Sequence, residues 1–223
     1  PTMSLLTLLW IGASLAGAFH WEPTLDGAVT AYNRGVEALE QGDPVGAEHH
    51  LRKALRKEPG CGMCSYALAS ALLRQDRALE AVAVAAEVCE RFPGALEPAI
   101  TLADAAFAAE RFEESIEVAE GLLRAYPESW DALRILVRGL LRTGDTPRAR
   151  AALQQASAHH SPERLACELG KVALEERQLD EARALLDLCR GADQPDAVVS
   201  LESRILHQEG RYDEASALLT ADV

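Results

Sequence analysis

The chain has 223 residues, 22 Lys and Arg against 35 Asp and Glu, and 48% hydrophobic residues with aromatics at only 5%. It is too apolar for intrinsic disorder, and a formal charge of −13 argues against a protein that wraps nucleic acid, which needs a dense cationic face. Five Cys are too few for a disulfide scaffold.

In chain order, the first predicted element is apolar. Ser4 to Phe19 carries no charge and ends at His20-Trp21-Glu22-Pro23. It reads as an export or anchor segment over 1–19, either a retained membrane helix or a cleavable signal, with a buried N-terminal helix as the third reading. An Ala16-Gly17-Ala18 triplet suits cleavage, whereas small residues one turn apart, Gly12/Ala16 and Ala13/Gly17, suit close helix packing in a membrane. The stretch is short of the roughly 20 residues that cross a bilayer. Residues 20–27 read as a linker, and an anchor or a signal puts the remainder outside the cytosol.

From residue 28 onward the sequence repeats. Small residues recur at Ala47, Ala81, Ser115, Ala149, Ala182 and Ala215, at intervals of 34, 34, 34, 33 and 33. Twelve residues before each stands Gly35, Ala69, Ala103, Val137, Gly170 and Ser203; four after stands Leu51, Ala85, Ala119, Leu153, Leu186 and Leu219. Antiparallel helices cross closely only where both present small side chains, and apolar residues around the columns recur at three and four, as in Leu133, Leu136, Val137, Leu140 and Leu141. Turns at Gln41-Gly42-Asp43-Pro44, Thr143-Gly144-Asp145 and Glu209-Gly210-Arg211 divide the hairpins. Pro59, Pro93, Pro127, Pro162 and Pro195 punctuate the units. No segment alternates at period two for long enough to be a strand, so the predicted fold is all-α.

The unit over residues 28–59, with Gly35, Ala47, Leu51, Ala54 and Pro59, and the turn Gly210-Arg211-Tyr212-Asp213-Glu214-Ala215, resemble the tetratricopeptide repeat (TPR) family. The resemblance covers 28–223, in units from about 28, 62, 96, 130, 163 and 196. It implies a right-handed superhelical solenoid of about six TPR helical hairpins, here preceded by an N-terminal hydrophobic helix. It also implies that the first helices line a concave groove that binds protein. The last unit is cut to 28 residues, which leaves Leu206, Leu218 and Leu219 partly uncovered and open to a cap or an oligomer contact at that hairpin.

Carried onto this sequence, the groove divides in two. Val29, Tyr32, Val36, Leu39, Met63, Tyr66, Leu73, Ile100 and Phe107 form an apolar side, which suits an extended chain or amphipathic helix, inter-hairpin packing, or contact with residues 19–27. Arg134, Arg138, Arg142, Arg164, Lys171 and Arg204 form a cationic side for an anionic element. The spacing of four in Arg134, Arg138 and Arg142 puts three guanidinium groups on one helical stripe. Residues 130–162 hold five Arg against two Asp, whereas 96–129 hold eight acids against two Arg. The carboxylate clamp of some family members needs Asn and Lys where this chain has Arg138 and Glu168.

Cys61-Gly62-Met63-Cys64 falls at the junction of the first two units. Its readings are a local Cys61–Cys64 disulfide, a Cys64–Cys89 bridge, redox or metal handling, or free thiols; no second pair stands at zinc spacing. Cys167 and Cys189 fall in the two helices of the fifth hairpin as core residues or a bridge. The adjacent pairs His49-His50 and His159-His160 diverge on a helix and make poor metal sites. No catalytic constellation, cofactor or metal is expected. The expectation is a non-enzymatic scaffold or assembly subunit of a bacterial membrane or envelope complex, with a thiol or metal carrier, or a chaperone for exported proteins, as alternatives.

Overall fold

The computed structural model describes residues 19–220, which contain twelve α-helices and no strand. The anchor or signal segment of 1–19 falls outside the described residues but for Phe19. Among the described residues no helix is long and apolar enough to cross a membrane. The chain forms two compact units, one ending at Arg111 and one beginning at Phe112.

The first unit holds α1 (Asp26–Glu40), α2 (Pro44–Lys57), α3 (Gly62–Leu73), α4 (Ala78–Arg91) and α5 (Leu96–Ala108). The second holds α6 (Phe112–Ala125), α7 (Trp130–Thr143), α8 (Thr146–Gln155) with a 3-10 turn at Ala156–Ala158, α9 (Pro162–Glu175), α10 (Leu179–Cys189), α11 (Pro195–Gln208) and α12 (Tyr212–Thr220). Within each unit consecutive helices pack on one another, and alternate ones also touch: α1 on α3 and α3 on α5 in the first unit, α7 on α9 and α9 on α11 in the second. The first helices of neighbouring hairpins therefore stand side by side within each unit.

The small-residue columns are the crossing points. Ala47, Ala81, Ser115, Ala149 and Ala182 are wholly buried, and Ala215 is 7% exposed. A Cβ on Gly35 would lie 2.6 Å from Leu51 Cγ, and one on Gly170 would lie 2.5 Å from Leu201 Cδ2. Both leucines are fully buried, so the glycines set the distance at which α1 meets α2 and α9 meets α11.

Six of the short turns between helices pass through one residue in the left-handed region. Gly42, Gly144 and Gly210 take it at φ near +75° to +80°, whereas Asp76, Glu110 and Arg177 hold φ of 59° or 60° with a Cβ in place. The second helix then starts with little ambiguity where Asp43 accepts the Gly46 amide at 2.8 Å, or Asp145 the Arg148 amide at 3.2 Å.

The stretch 20–27, expected to be a linker, is docked instead. The His20 and Trp21 carbonyls accept the Gly62 and Met63 amides at 2.9 and 2.8 Å, and the His20 amide donates to Gly60 at 3.2 Å. The buried carboxylate of Glu58 accepts the Thr24 hydroxyl at 2.5 Å and the Thr24 and Leu25 amides at 2.9 and 3.2 Å, with His20 Nε2 2.5 Å from Oε1. Burial alone would raise the Glu58 pKa. The Thr24 and Leu25 donors and His20 outweigh it and hold the carboxyl at about 2, below its ordinary 4.5.

Candidate functional site

In the second unit, α7, α9 and α11 frame a cavity of about 350 Å³. Its walls are Arg134, Ile135, Arg138, Leu141 and Arg142 from α7, Glu168, Lys171 and Glu175 from α9, and Ser200 and Arg204 from α11. Five of the six cations proposed from sequence thus line one space. The helix that carries three of them is strongly two-faced: Leu133, Leu136, Val137 and Leu140 are buried, whereas Arg134, Arg138 and Arg142 are exposed. Ser129 caps this helix through the Ala132 amide at 3.3 Å, and Gly144 ends it.

The charges inside the cavity are not equivalent. Lys171 Nζ lies 2.8 Å from Glu168 Oε1, and Arg204 lies 2.6 Å from Glu175. Arg134 has only a loose approach to Asp131, at 3.8 Å, and the Arg142 guanidinium lies 5.0 Å from the Phe112 ring centre. Two carboxylates against five cations leave the space electropositive in a chain of net −13. Arginine forks present planar pairs of donors suited to carboxylates, and Ile135 and Leu141 add an apolar wall.

Arg164 does not join them. Its guanidinium stacks 4.3 Å from the Trp130 ring centre, beside His160, whose ring is 5.1 Å from Trp130. Burial, with Arg164 next, lowers the His160 pKa. The reading from sequence missed Glu175 and Ser200, although each stands four residues from a cation it named, on the same helical stripe.

On the apolar side, Tyr32, Val36, Met63, Tyr66, Leu73 and Phe107 are all half-buried. Tyr32 and Met63 pack on the buried cluster of Ala31, Ala54, Cys61 and Cys64. Tyr66 stacks on Trp21 with ring centres 6.4 Å apart, and Trp21 meets Phe92 edge-on at 5.3 Å. Of the occupants weighed for this surface, the chain's own residue 21 is therefore in place at Tyr66. A Cβ on Gly62 would lie 2.6 Å from Phe92 and 2.7 Å from Trp21, so glycine lets both rings close over the start of α3.

Cys61 and Cys64 form a disulfide, and both are buried. Cys89 belongs to no bridge; it is a half-buried thiol, and burial pushes its pKa up, which suppresses the reactive thiolate. Cys167 and Cys189 form a second disulfide that joins α9 to α10 with Cα atoms 4.9 Å apart. Among the described residues no group of three or more His, Cys, Asp and Glu could hold a metal ion. At the last hairpin Tyr212 and Leu219 are 60% and 55% exposed, and Ala215 is the buried residue of α12.

Stacked helical hairpins with small residues at each crossing and first helices side by side define a helical-repeat protein. A tetratricopeptide-repeat family model matches residues 32–95, 100–138 and 136–197, well over half of the chain, and the protein belongs to that family. Solved structures share the fold at low identity. A thermophilic TPR protein from Thermus thermophilus is 22% identical, with TM-score 0.64 over 80% of this chain and 99% of that one. A TPR protein from Parabacteroides merdae is 16% identical, with TM-score 0.70 over 88% and 79%. PilF of Pseudomonas aeruginosa is 19% identical, with TM-score 0.64 over 86% and 89%. Comparison with curated proteins gives no match.

Proposed function

We propose that this protein is a non-enzymatic scaffold that binds an acidic element of a protein partner in the cavity framed by α7, α9 and α11. The observation that carries the reading is the convergence of Arg134, Arg138, Arg142, Lys171 and Arg204 from three successive first helices on one space. Residues four apart on a helix rise about 6 Å, which is also close to the spacing of alternate side chains in an extended peptide. A partner segment with acidic residues on one face can therefore meet the α7 arginines in register. Ile135 and Leu141 reward an apolar side chain between the acids. Membership of the TPR family supports protein as the class of ligand.

The finer reading is an assembly subunit of a bacterial membrane or envelope complex, with the repeats outside the cytosol. Two features support it: the apolar run from Ser4 to Phe19, and the two disulfides, which persist in oxidising compartments. Isothermal titration with a Glu-rich peptide tests the binding site. The Arg134→Glu, Arg138→Glu variant removes two charge-assisted contacts of about 1–1.5 kcal/mol each, or ~30- to 150-fold in affinity. Equal binding by wild type and variant at low salt would refute the proposal. Protease protection and extraction of membranes from the native host test the location.

A further inference from the structure

The first hairpin carries a second electropositive site, unrelated to the cavity of the second unit. A cavity of about 220 Å³ lies along the seam of α1 and α2, lined by Gly27, Thr30, Ala31 and Arg34 from α1 and by His50, Lys53 and Lys57 from α2. No carboxylate lines it. Both stripes follow helical spacing, so the two helices aim their basic groups at one line.

The state of these cations sets them apart. Ten arginines have a named carboxylate partner, among them Arg52, which is adjacent to Lys53 and pairs with Glu48 at 2.8 Å. Among the described residues no ion pair or hydrogen bond engages the Arg34, Lys53 or Lys57 side chains. Two of the three lysines of the whole sequence stand here. Basic residues in the last turn of α2 suit the negative end of its dipole. That accounts for Lys57 but not for Arg34 and Lys53 converging on it, since like charges repel.

Two further details make the seam receptive to an anion. The Lys57 ammonium reaches over the first turn of α1, its Nζ 2.8 Å from where a Cβ on Gly27 would stand. The turn itself adds little, since it carries Asp26 and the Leu25 carbonyl already accepts the Ala28 and Val29 amides at 2.7 and 2.9 Å, so the cations carry the attraction. His50 adds a buried Nδ1 without a hydrogen-bond partner. Three unpaired cations around a cavity that no carboxylate lines form a site for a compact, multiply charged oxyanion.

We infer that the seam of α1 and α2 binds a phosphate group, presented either by an anionic lipid headgroup or as a free phosphate. The seam follows closely on the apolar run that ends at Phe19, because the docked strap of residues 20–25 leads straight into α1. Ammonium and guanidinium groups carry the affinity, at about fivefold per cation for an anionic membrane surface.

The test uses the full chain with two probes: inorganic phosphate, and phosphatidylcholine vesicles with or without phosphatidylglycerol. Saturable phosphate binding assigns the free ion. Binding that needs phosphatidylglycerol, without measurable affinity for phosphate, assigns the headgroup. In either case Lys53→Glu, Lys57→Glu weakens the interaction at least ~25-fold, and Arg34→Gln weakens it about fivefold. All three residues are exposed, and unchanged circular dichroism together with unchanged titration of the acidic peptide in the second unit verifies the fold. Should the double variant fail to fold, Lys53→Gln, Lys57→Gln takes its place. Absence of binding to both probes, or equal binding by wild type and variants, overturns the inference. Equal binding to vesicles with and without phosphatidylglycerol, with no affinity for phosphate, overturns it as well, since that is the behaviour of the apolar run alone.

Discussion

Replacing Glu58 by Gln keeps the size of the side chain and removes its charge, which isolates the clamp that holds residues 20–25 on the first unit. The carboxylate accepts the Thr24 hydroxyl at 2.5 Å and the amides of Thr24 and Leu25 at 2.9 and 3.2 Å. Gln has one acceptor where the site presents donors on both sides, so one edge of its amide meets a donor with a donor. Three charge-assisted bonds become at most two neutral ones, at an expected cost of about 2–4 kcal/mol. The readout is hydrogen exchange at the Gly62 and Met63 amides, which donate to His20 and Trp21 and are protected only while the strap is docked. The pH dependence has a fixed sign. Because the folded pKa of about 2 lies below the ordinary 4.5, the stabilisation is complete above pH 4.5 and is lost as pH falls towards 2. Wild type is expected to lose protection at these amides across that window, and Glu58→Gln to lack this contribution. Equal protection in both proteins at pH 7 would refute the clamp.

Other predictions follow from packing and covalent structure. Arg177→Gly relieves a left-handed residue with a Cβ and is expected to stabilise the second unit by about 1 kcal/mol in denaturant unfolding; destabilisation would contradict the account of the turn. Gly35→Val drives a side chain into buried Leu51 and is expected to cost about 1–3 kcal/mol, measured as a lower unfolding midpoint of the first unit. Replacing Cys167 and Cys189 by Ala opens a link across 22 residues, at an expected cost of about 3 kcal/mol to the second unit. Mass spectrometry after alkylation without reductant should find a single slow-reacting thiol, Cys89; rapid labelling of Cys61 or Cys64 would contradict their buried bridge.

The helices were legible because each hairpin needs small residues at its crossing, and a column such as Ala47, Ala81 and Ser115 carries that requirement on its face. The α7 stripe was legible for a related reason, since a spacing of four fixes a shared face whatever the tertiary setting. Arg164 was misplaced because its rotamer is decided by the Trp130 ring, a contact that one helix's pattern does not encode. Nothing in the sequence around Glu58 marks it; only the return of Thr24 and Leu25 to its carboxylate makes it an anchor. The turns at Asp76, Glu110 and Arg177 lack the glycine that marks the other three, so their left-handed backbone had no signal in residue type. The Cys167–Cys189 bridge depends on the register of α9 against α10, which a separation of 22 leaves open.

The central claim is that the cavity of α7, α9 and α11 recognises acidic side chains by charge, and a charge-swap titration tests it most directly. Wild type should bind a Glu-rich peptide and ignore its Lys-substituted counterpart. The Arg134→Glu, Arg138→Glu variant should lose the first, by ~30- to 150-fold, and gain affinity for the second. Undiminished binding of the acidic peptide by the variant, or no acidic preference in wild type, would contradict the account.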